Sequence, residues 1–262
     1  MHAIGRRDTI YPVAILWSMH ALGRDGLPST VTIDGAAHQL EQTIKHDFFA
    51  ATGFYLDANH RRIVVKINRR KRFFGLPMRW IGRYLCKREM RAYRKLSDLP
   101  EVPALLGAVT DTGFAHDHVA GDSLACSRRV PNDYFNQLEA VISKLAERGI
   151  AYVDMEKPEN VILGDDGRPH LIDFQIHFDS RSFPIFGKRL LREFVRGDRY
   201  HTIKLKQRLR PDLMSESERQ ILDRANFWIR THRRLSRPFL AIRRPIMRWL
   251  KSTGRVADAR SN

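Results

Sequence analysis

Cysteine and long apolar runs are both scarce in this sequence of 262 residues. The two cysteines, Cys86 and Cys126, fit no metal-binding or CxxC spacing, so we expect neither a zinc module nor a disulfide scaffold, and a reducing compartment is favoured. Residues 10–22 most resemble a targeting signal, but they are too short to span a bilayer and contain a proline and a histidine. We therefore predict no transmembrane helix, and we interpret residues 1–30 as a packed N-terminal extension.

Acidic residues are also few, because 29 Asp and Glu stand against 46 Lys and Arg, which gives a formal net charge of +17. Such a positive field attracts nucleotides, nucleic acid, phospholipid head groups or lipopolysaccharide, and charge alone does not choose among them. The hydrophobic fraction of 43% is ordinary for a globular protein, and a chain of this length can bury a substantial core. The composition therefore indicates a globular protein with an anionic partner.

The most informative stretch is residues 149–175, GIAYVDMEKPENVILGDDGRPHLIDFQ. It predicts a loop with Asp154, Lys157 and Asn160, then a short strand, a tight turn with a glycine, and a second strand that ends at Asp173. Two strands joined by a tight turn form a hairpin, and the two ends of a hairpin lie side by side. Asn160 and Asp173 thus offer oxygen ligands to one cation, the ligand type that Mg²⁺ prefers while it also binds phosphate.

The loop resembles a known catalytic loop. Residues 157–160 match the KPEN of protein kinases, Asp173 begins a DFQ that resembles their DFG motif, and the step of 13 residues between Asn160 and Asp173 is the family's interval. The sequence thus resembles the protein-kinase-like superfamily, in a divergent bacterial-looking branch similar to lipopolysaccharide core (Kdo/heptose) kinases and RIO-type kinases. This resemblance implies an α+β, two-lobed fold with a small antiparallel-sheet N-lobe that carries one helix and a mainly helical C-lobe.

The resemblance also implies a role for each polar residue of the loop. Asp154 would orient or deprotonate the acceptor hydroxyl, and Lys157 would neutralise the transferring phosphoryl group. Asn160 and Asp173 would hold Mg²⁺, and ATP would be the donor. Glu156 is a rival base, since an extra residue in the loop could bring it forward. The whole constellation could alternatively be a structural hairpin with polar loops.

The sequence departs from the family pattern at three places. Asp154 lies six residues before Asn160, where the family has five, so we expect the loop to bulge. Tyr152 and Val153 replace the His and Arg of the HRD motif, and the loss of that Arg argues against regulation by activation-loop phosphorylation. Gln175 replaces the DFG glycine, which argues against a freely flipping metal loop.

Residues 31–119 are predicted to form the N-lobe. Three strand-like runs, at residues 39–45, 49–56 and 63–68, indicate an antiparallel meander. In the resembling kinases the turn between the first two strands covers the ATP phosphates and is rich in glycine. Here the turn at residues 45–49 has no glycine, so we assign phosphate contact to Lys45 or to a backbone amide.

A lysine and a glutamate complete the predicted nucleotide site. Lys66, in the VVKI of the third strand, corresponds to the lysine of the kinase VAIK motif. Glu89 falls on the apolar stripe of a predicted helix at residues 78–97, together with Ile81 and Leu85. Because a buried carboxylate needs a partner, we predict a Lys66–Glu89 ion pair. Glu89 could instead pair with a basic residue of its own helix.

Strands predicted at residues 102–109 and 113–119 complete the N-lobe. The predicted C-lobe covers residues 120–232, with helices at 131–148, 183–195 and 216–232. Asp198 either braces the catalytic loop, as an aspartate does in the family, or caps a helix. Residues 233–262 form a basic, apolar tail, and basic residues also accompany aromatics at residues 69–80. The tail favours an anionic membrane surface, whereas residues 69–80 suit a phosphate-rich polymer or a membrane interface, or form a solvated loop.

The function that follows is an ATP- and Mg²⁺-dependent phosphotransferase in the cytoplasm, or peripheral at the inner face of the membrane. Its hydroxyl acceptor would be a lipopolysaccharide-type glycan sugar or a lipid, with a protein Ser/Thr as second choice, since no Ala-Pro-Glu closes a peptide groove after Gln175. Two other classes stay open. One is a pseudokinase binding module, prompted by the missing glycines and the extra residue. The other is a basic nucleic-acid-binding protein, which no recognised motif supports.

Overall fold

The computed structural model of the chain describes residues 20–73, 75–127 and 129–224. These residues form two compact units, one made of residues 20–86 and 108–114 and the other of residues 87–107 and 115–224. Among the described residues, no helix has the length and apolar character needed to cross a membrane. Residues 1–19, the tail at 233–262 and most of the helix predicted at 216–232 lie outside the described residues, although residues 216–224 are helical. The predicted limits of the two lobes, at residues 31–119 and 120–232, stay predictions.

An antiparallel sheet organises the first unit. Its first four strands pair in sequence order, as the predicted meander requires, and Thr52 lies opposite Lys66 in the register of the third and fourth strands. The full order is β1-β2-β3-β4-β6-β5, where the strands are β1 (Thr30–Ile33), β2 (Ala36–His46), β3 (Ala50–Leu56), β4 (Arg62–Asn68), β5 (Leu105–Thr110) and β6 (Gly113–Asp117). Strand β4 is buried along nearly its whole length, as its run of β-branched residues predicts.

Helix α1 (Arg79–Lys95) confirms the helix predicted between β4 and β5. Its buried positions include Cys86, Glu89, Met90 and Tyr93, which recur at helical spacing. Glu89 is therefore buried as predicted, but the prediction that Ile81 and Leu85 lie on the buried stripe was only partly right, because both side chains are half-exposed.

Helix α2 (Tyr134–Glu147) is the buried helix of the second unit. All five apolar residues predicted for its inner face are buried, namely Tyr134, Leu138, Val141, Ile142 and Leu145. The predicted start at Pro131 was wrong by three residues, because Asp133 occupies the N-cap position. Gly149 follows the helix with a φ of +73°, a conformation that suits glycine at a helix end.

The predicted hairpin is present, and a strand and a loop separate it from α2. A short strand β8 (Ile150–Ala151) leads into the loop, and β9 (Val161–Gly164) pairs antiparallel with β10 (Pro169–Leu171). Strand β7 (Gly121–Ser123) pairs with the other edge of β9, and β11 (Phe178–Asp179) pairs with β8. These pairings place the two ends of the hairpin beside the entrance of the loop.

Helix α3 (Gly187–Leu209) corrects the helix predicted at residues 183–195. A short 3-10 turn (Ser180–Ser182) comes first, and Pro184 disfavours helical geometry at Phe183, so the helix begins later than predicted. Gly197 does not stop the helix, which is 23 residues long in all and ends at Leu209. Asp198 therefore lies in the interior of α3, and the interpretation of Asp198 as a helix cap was wrong.

Candidate active site

The start of the loop is held by Asp198. Its buried carboxylate accepts the backbone N–H groups of Tyr152 and Val153, each at 2.8 Å. The bracing role predicted for Asp198 is thereby confirmed. Burial raises the pKa of Asp198 to about 7, although the two N–H donors act in the opposite direction.

The two predicted catalytic residues and one predicted metal ligand meet at the carboxylate of Asp154. Asp154 is buried and accepts hydrogen bonds from the Lys157 ammonium at 2.8 Å and from the Asn160 amide at 2.7 Å, both on Oδ2. Burial raises the pKa of Asp154, the nearby charge of Asp173 adds to this effect, and Lys157 opposes it. The arrangement suits a base whose carboxylate is pre-oriented beside a cation.

The extra residue of the loop is absorbed in a turn. The backbone N–H of Lys157 donates to the carbonyl oxygen of Asp154 at 3.0 Å, and the side chain of Met155 is buried beneath this turn. Glu156, the rival base, is exposed, and its charge acts on the imidazole of His201. Asp154, rather than Glu156, thus contacts Lys157 and Asn160.

The far end of the hairpin lies beside Asn160. The backbone N–H of Ile172 donates to the carbonyl oxygen of Asn160 at 3.1 Å, which continues the ladder of β9 and β10 to the residue before Asp173. Asp173 has a φ of +61°, and its own N–H donates to the Tyr93 hydroxyl at 3.2 Å. The metal ligands predicted from the sequence therefore sit on neighbouring backbone positions.

Two tyrosines that the sequence analysis did not single out support this arrangement. The buried hydroxyl of Tyr152 bonds to the carbonyl oxygens of Ile172 and Asn160, the latter at 3.3 Å. The ring of the buried Phe174 packs edge-on against Tyr152 and Tyr93, with centroids 5.2 and 5.3 Å apart. A signal existed for both, since Tyr152 replaces the His of HRD and Tyr93 lies one helical turn after Glu89.

The predicted nucleotide-binding residues lie in different units. Lys66 is buried on β4 in the first unit, whereas Glu89 is buried on α1 in the second, so their pairing stays a prediction. Lys45 binds Asp47 at 2.8 Å on the surface. Asp47 also accepts the N–H groups of Phe49 and Ala50, so a carboxylate, which the sequence analysis missed, organises the turn without glycine.

The donor set fits a magnesium ion that is shared with phosphate. Within the described part of the chain, no group of three or more His, Cys, Asp or Glu could hold a metal ion alone. Asn160 and Asp173 offer one amide and one carboxylate oxygen. Mg²⁺ is commonly bound by one or two such ligands together with substrate phosphates and water, so these residues fit that ion.

The fold is similar to that of a solved kinase. The Rio2 kinase from Chaetomium thermophilum, in its ADP/Mg²⁺-phosphoaspartate complex, is 17% identical, with a TM-score of 0.53 over 68% of this chain and 57% of that chain. Another structure of Rio2 kinase from the same organism is 17% identical, with a TM-score of 0.49 over 62% and 54%. No protein-family model and no curated protein matches the sequence significantly.

The chain thus spans less than two thirds of the length of these kinases. At this identity the similarity concerns the fold, and the narrower resemblance to lipopolysaccharide core kinases stays a prediction. An antiparallel sheet followed by a mainly helical unit agrees with the similarity. The chain therefore has an α+β, protein-kinase-like fold.

Proposed function

We propose that the protein is an ATP- and Mg²⁺-dependent phosphotransferase that acts on a hydroxyl acceptor. The observation that carries this proposal is the carboxylate of Asp154, which contacts both Lys157 and Asn160 in a loop braced by Asp198. A purely structural hairpin has no need to bury a carboxylate and an amide at one point beside an exposed lysine, because burying polar groups is costly.

The residues of the loop divide the work of phosphoryl transfer. Asp154 orients the acceptor hydroxyl and accepts its proton as the acceptor oxygen bonds to the γ-phosphorus and ADP leaves. Lys157, beside Asp154, neutralises charge on the transferring group. Mg²⁺, when held by Asn160 and Asp173, would neutralise the phosphates of the nucleotide. Most of the catalysis would come from positioning and charge, which a braced loop provides.

The nucleotide would also contact residues of the first unit. Lys66, a buried lysine on β4, is suited to hold phosphate oxygens, and Glu89 stays its predicted partner. Lys45 and the turn organised by Asp47 would cover the phosphates. These roles follow from the resemblance to kinases.

The acceptor that we favour is a sugar or lipid-linked glycan at an anionic membrane surface, and a protein Ser/Thr hydroxyl is the second choice. The absent Ala-Pro-Glu sequence after Gln175 supports an acceptor other than a peptide. A cytoplasmic protein that is peripheral at the membrane would meet both ATP and such an acceptor.

A single-turnover experiment tests the proposal. ATP labelled on its γ-phosphate is mixed with excess protein and Mg²⁺, and label is followed into sugar, glycolipid and protein acceptors and into free phosphate. We expect transfer that Asp154→Asn slows by about 10²- to 10⁴-fold, as for the loss of a general base. Glu156→Gln, a matched change two residues away on an exposed side chain, should leave the rate unchanged.

Two results would overturn the assignment. Absence of transfer to every acceptor and to water would indicate a pseudokinase. Loss of transfer in Glu156→Gln but not in Asp154→Asn would move the role of base to Glu156.

A further inference from the structure

Large apolar side chains are exposed along a short segment of the second unit, between β11 and the middle of α3. Phe183, Ile185 and Phe186 are 50%, 85% and 63% exposed, and Leu190 and Phe194 are also exposed. Phe186, Leu190 and Phe194 recur every four residues, so they form one row along the first turns of the helix. We call these five residues the apolar row. Contiguous apolar surface of this kind marks an interaction site.

The apolar row is fixed to the core of the unit. The buried ring of Phe178 stacks on Phe183 with centroids 5.5 Å apart, and it packs against Phe194 at 4.8 Å. Phe178 itself pairs with Ala151 in the two-stranded sheet that leads into the catalytic loop. The apolar row is therefore held by packing and pairing.

Basic side chains accompany the apolar row. Residues 181–196 contain five bases and one acid, a net charge of +4, and the acid, Glu193, binds Arg196 at 2.9 Å. Lys188, Arg192 and Arg196 also recur every four residues, and all three are exposed. We call these three residues the basic row. In an ideal helix the basic row lies along one side of the solvent-facing surface and Phe186, Leu190 and Phe194 of the apolar row lie along the other, with Arg189 and Glu193 between them.

We propose that the apolar row and the basic row together dock onto an anionic lipid membrane. A helix that lies in a membrane interface buries apolar side chains at the boundary of head groups and acyl chains, and its long basic side chains reach the lipid phosphates. The exposed aliphatic tip of Ile185 fits this environment. A nucleic acid would reward stacking rings and not aliphatic side chains such as Ile185 and Leu190.

The chain's own tail is a poor occupant of this surface. Residues 233–251 contain bases and no acid, so like charge would oppose their binding to the basic row. An anionic lipid surface has the opposite charge, and this complementarity identifies the partner.

Docking here would place the catalytic loop close to the lipid surface. Asp198, which holds that loop, lies on the same helix eight residues after Leu190, or about 12 Å along its axis. The proposed docking itself does not depend on phosphate transfer, so its test uses lipid binding and its failure leaves the proposed activity standing.

Vesicle sedimentation with the full chain tests the proposal. We expect binding to vesicles of phosphatidylcholine with phosphatidylglycerol, little binding to phosphatidylcholine alone, and a decline with added salt. The double variant Ile185→Ser/Phe186→Ser should weaken binding by about tenfold or more. Lys188→Gln/Arg192→Gln should weaken it by about fivefold for each charge removed. Ile221→Ser changes another exposed apolar side chain of the same unit, 45% exposed, and as the control it should bind as the unaltered chain does.

Other outcomes would overturn the proposal. Equal vesicle binding by the unaltered chain and both double variants would assign membrane binding to another segment. Equal binding to neutral vesicles would remove the role of the basic row. If the double variants lose single-stranded RNA or an acidic protein but keep vesicle binding, the surface has a different partner. Circular dichroism of each variant should match that of the unaltered chain, because the changed side chains are exposed.

Discussion

Val153 adopts a left-handed backbone conformation, with a φ of +69°, and its N–H is held by the Asp198 carboxylate at 2.8 Å across 45 residues of sequence. A β-branched residue in this conformation costs about 1–2 kcal/mol relative to its usual geometry. The bond to Asp198 compensates this strain and fixes the residue directly before Asp154. The strain is thus stored at the point that orients the proposed base.

Replacement of Val153 by glycine should separate this strain from the packing of the side chain. Glycine adopts positive φ without steric cost, so we expect Val153→Gly to change the free energy of unfolding by less than about 1 kcal/mol. Val161→Gly is the matched control, because Val161 is buried with a φ of −111°, and it should cost about 2–4 kcal/mol. Urea unfolding of both variants measures these free energies. An equal loss of stability in Val153→Gly and Val161→Gly would show that the backbone of Val153 is not strained.

The pH dependence of stability should report the buried carboxyl of Asp198. Its pKa is raised from 3.8 to about 7, so between these values the folded state keeps the proton and the unfolded state releases it. Rising pH therefore favours unfolding in this window, by up to about 1.4 kcal/mol per pH unit.

The variant Asp198→Asn lacks this titration and isolates its effect. The stability of the unaltered chain minus that of Asp198→Asn should fall as pH rises from about 4 to about 7. Histidines whose pKa values desolvation lowers, such as His177 and His46, have the opposite slope but are present in both proteins and cancel. A flat difference would mean that the folded carboxyl of Asp198 titrates normally.

Two buried tyrosines whose hydroxyls bond to carbonyl oxygens in or beside the hairpin allow a matched comparison. Tyr152 bonds to the carbonyl oxygens of Ile172 and Asn160, and Tyr134 bonds to the carbonyl oxygen of Ile162 at 3.2 Å. We expect Tyr152→Phe and Tyr134→Phe each to cost about 1–2 kcal/mol of stability. Only Tyr152→Phe should also weaken the binding of ATP with Mg²⁺, measured by calorimetry, since only its partners include or adjoin the proposed metal ligands Asn160 and Asp173. Equal nucleotide affinity in both variants would contradict this positioning role.

The charge of Lys157 should determine the pH at which kcat/KM falls on the acidic side of its pH profile. Lys157 lowers the pKa of Asp154, against burial, which raises it. Removing the charge in Lys157→Met should therefore move the loss of kcat/KM at low pH to a higher pH. The control is Lys144→Met, which removes a lysine of α2 that binds Glu101 at 2.6 Å. This variant should lose kcat/KM at the same low pH as the unaltered chain. A loss of kcat/KM at that same pH in Lys157→Met would argue against Asp154 as the titrating base.

Local patterns predicted much of the fold. The meander, α1, α2 and the hairpin each follow from periodicity and turn residues, and all are present. The helix predicted at 183–195 was wrong in both bounds, because Pro184 delays its start and a single glycine does not end a helix that packs on α2.

The site was predictable where the chain is contiguous. Asp154, Lys157 and Asn160 lie within seven residues, and the hairpin brings Asp173 to them. The contacts that support the site could not be predicted, because they join residues far apart in sequence. Tyr93 and Asp173 are 80 residues apart, and no periodicity within one element encodes such a contact.

The most direct test of the central claim is the thermal unfolding of the full chain with ATP, with Mg²⁺, with both, and with both after Asp173→Ala. We predict a stabilisation that needs both ligands, of about 2.7 kcal/mol at a hundred times the dissociation constant. This stabilisation should disappear in Asp173→Ala. No shift with both ligands, or a shift that persists in Asp173→Ala, would contradict a nucleotide site built on Asn160 and Asp173.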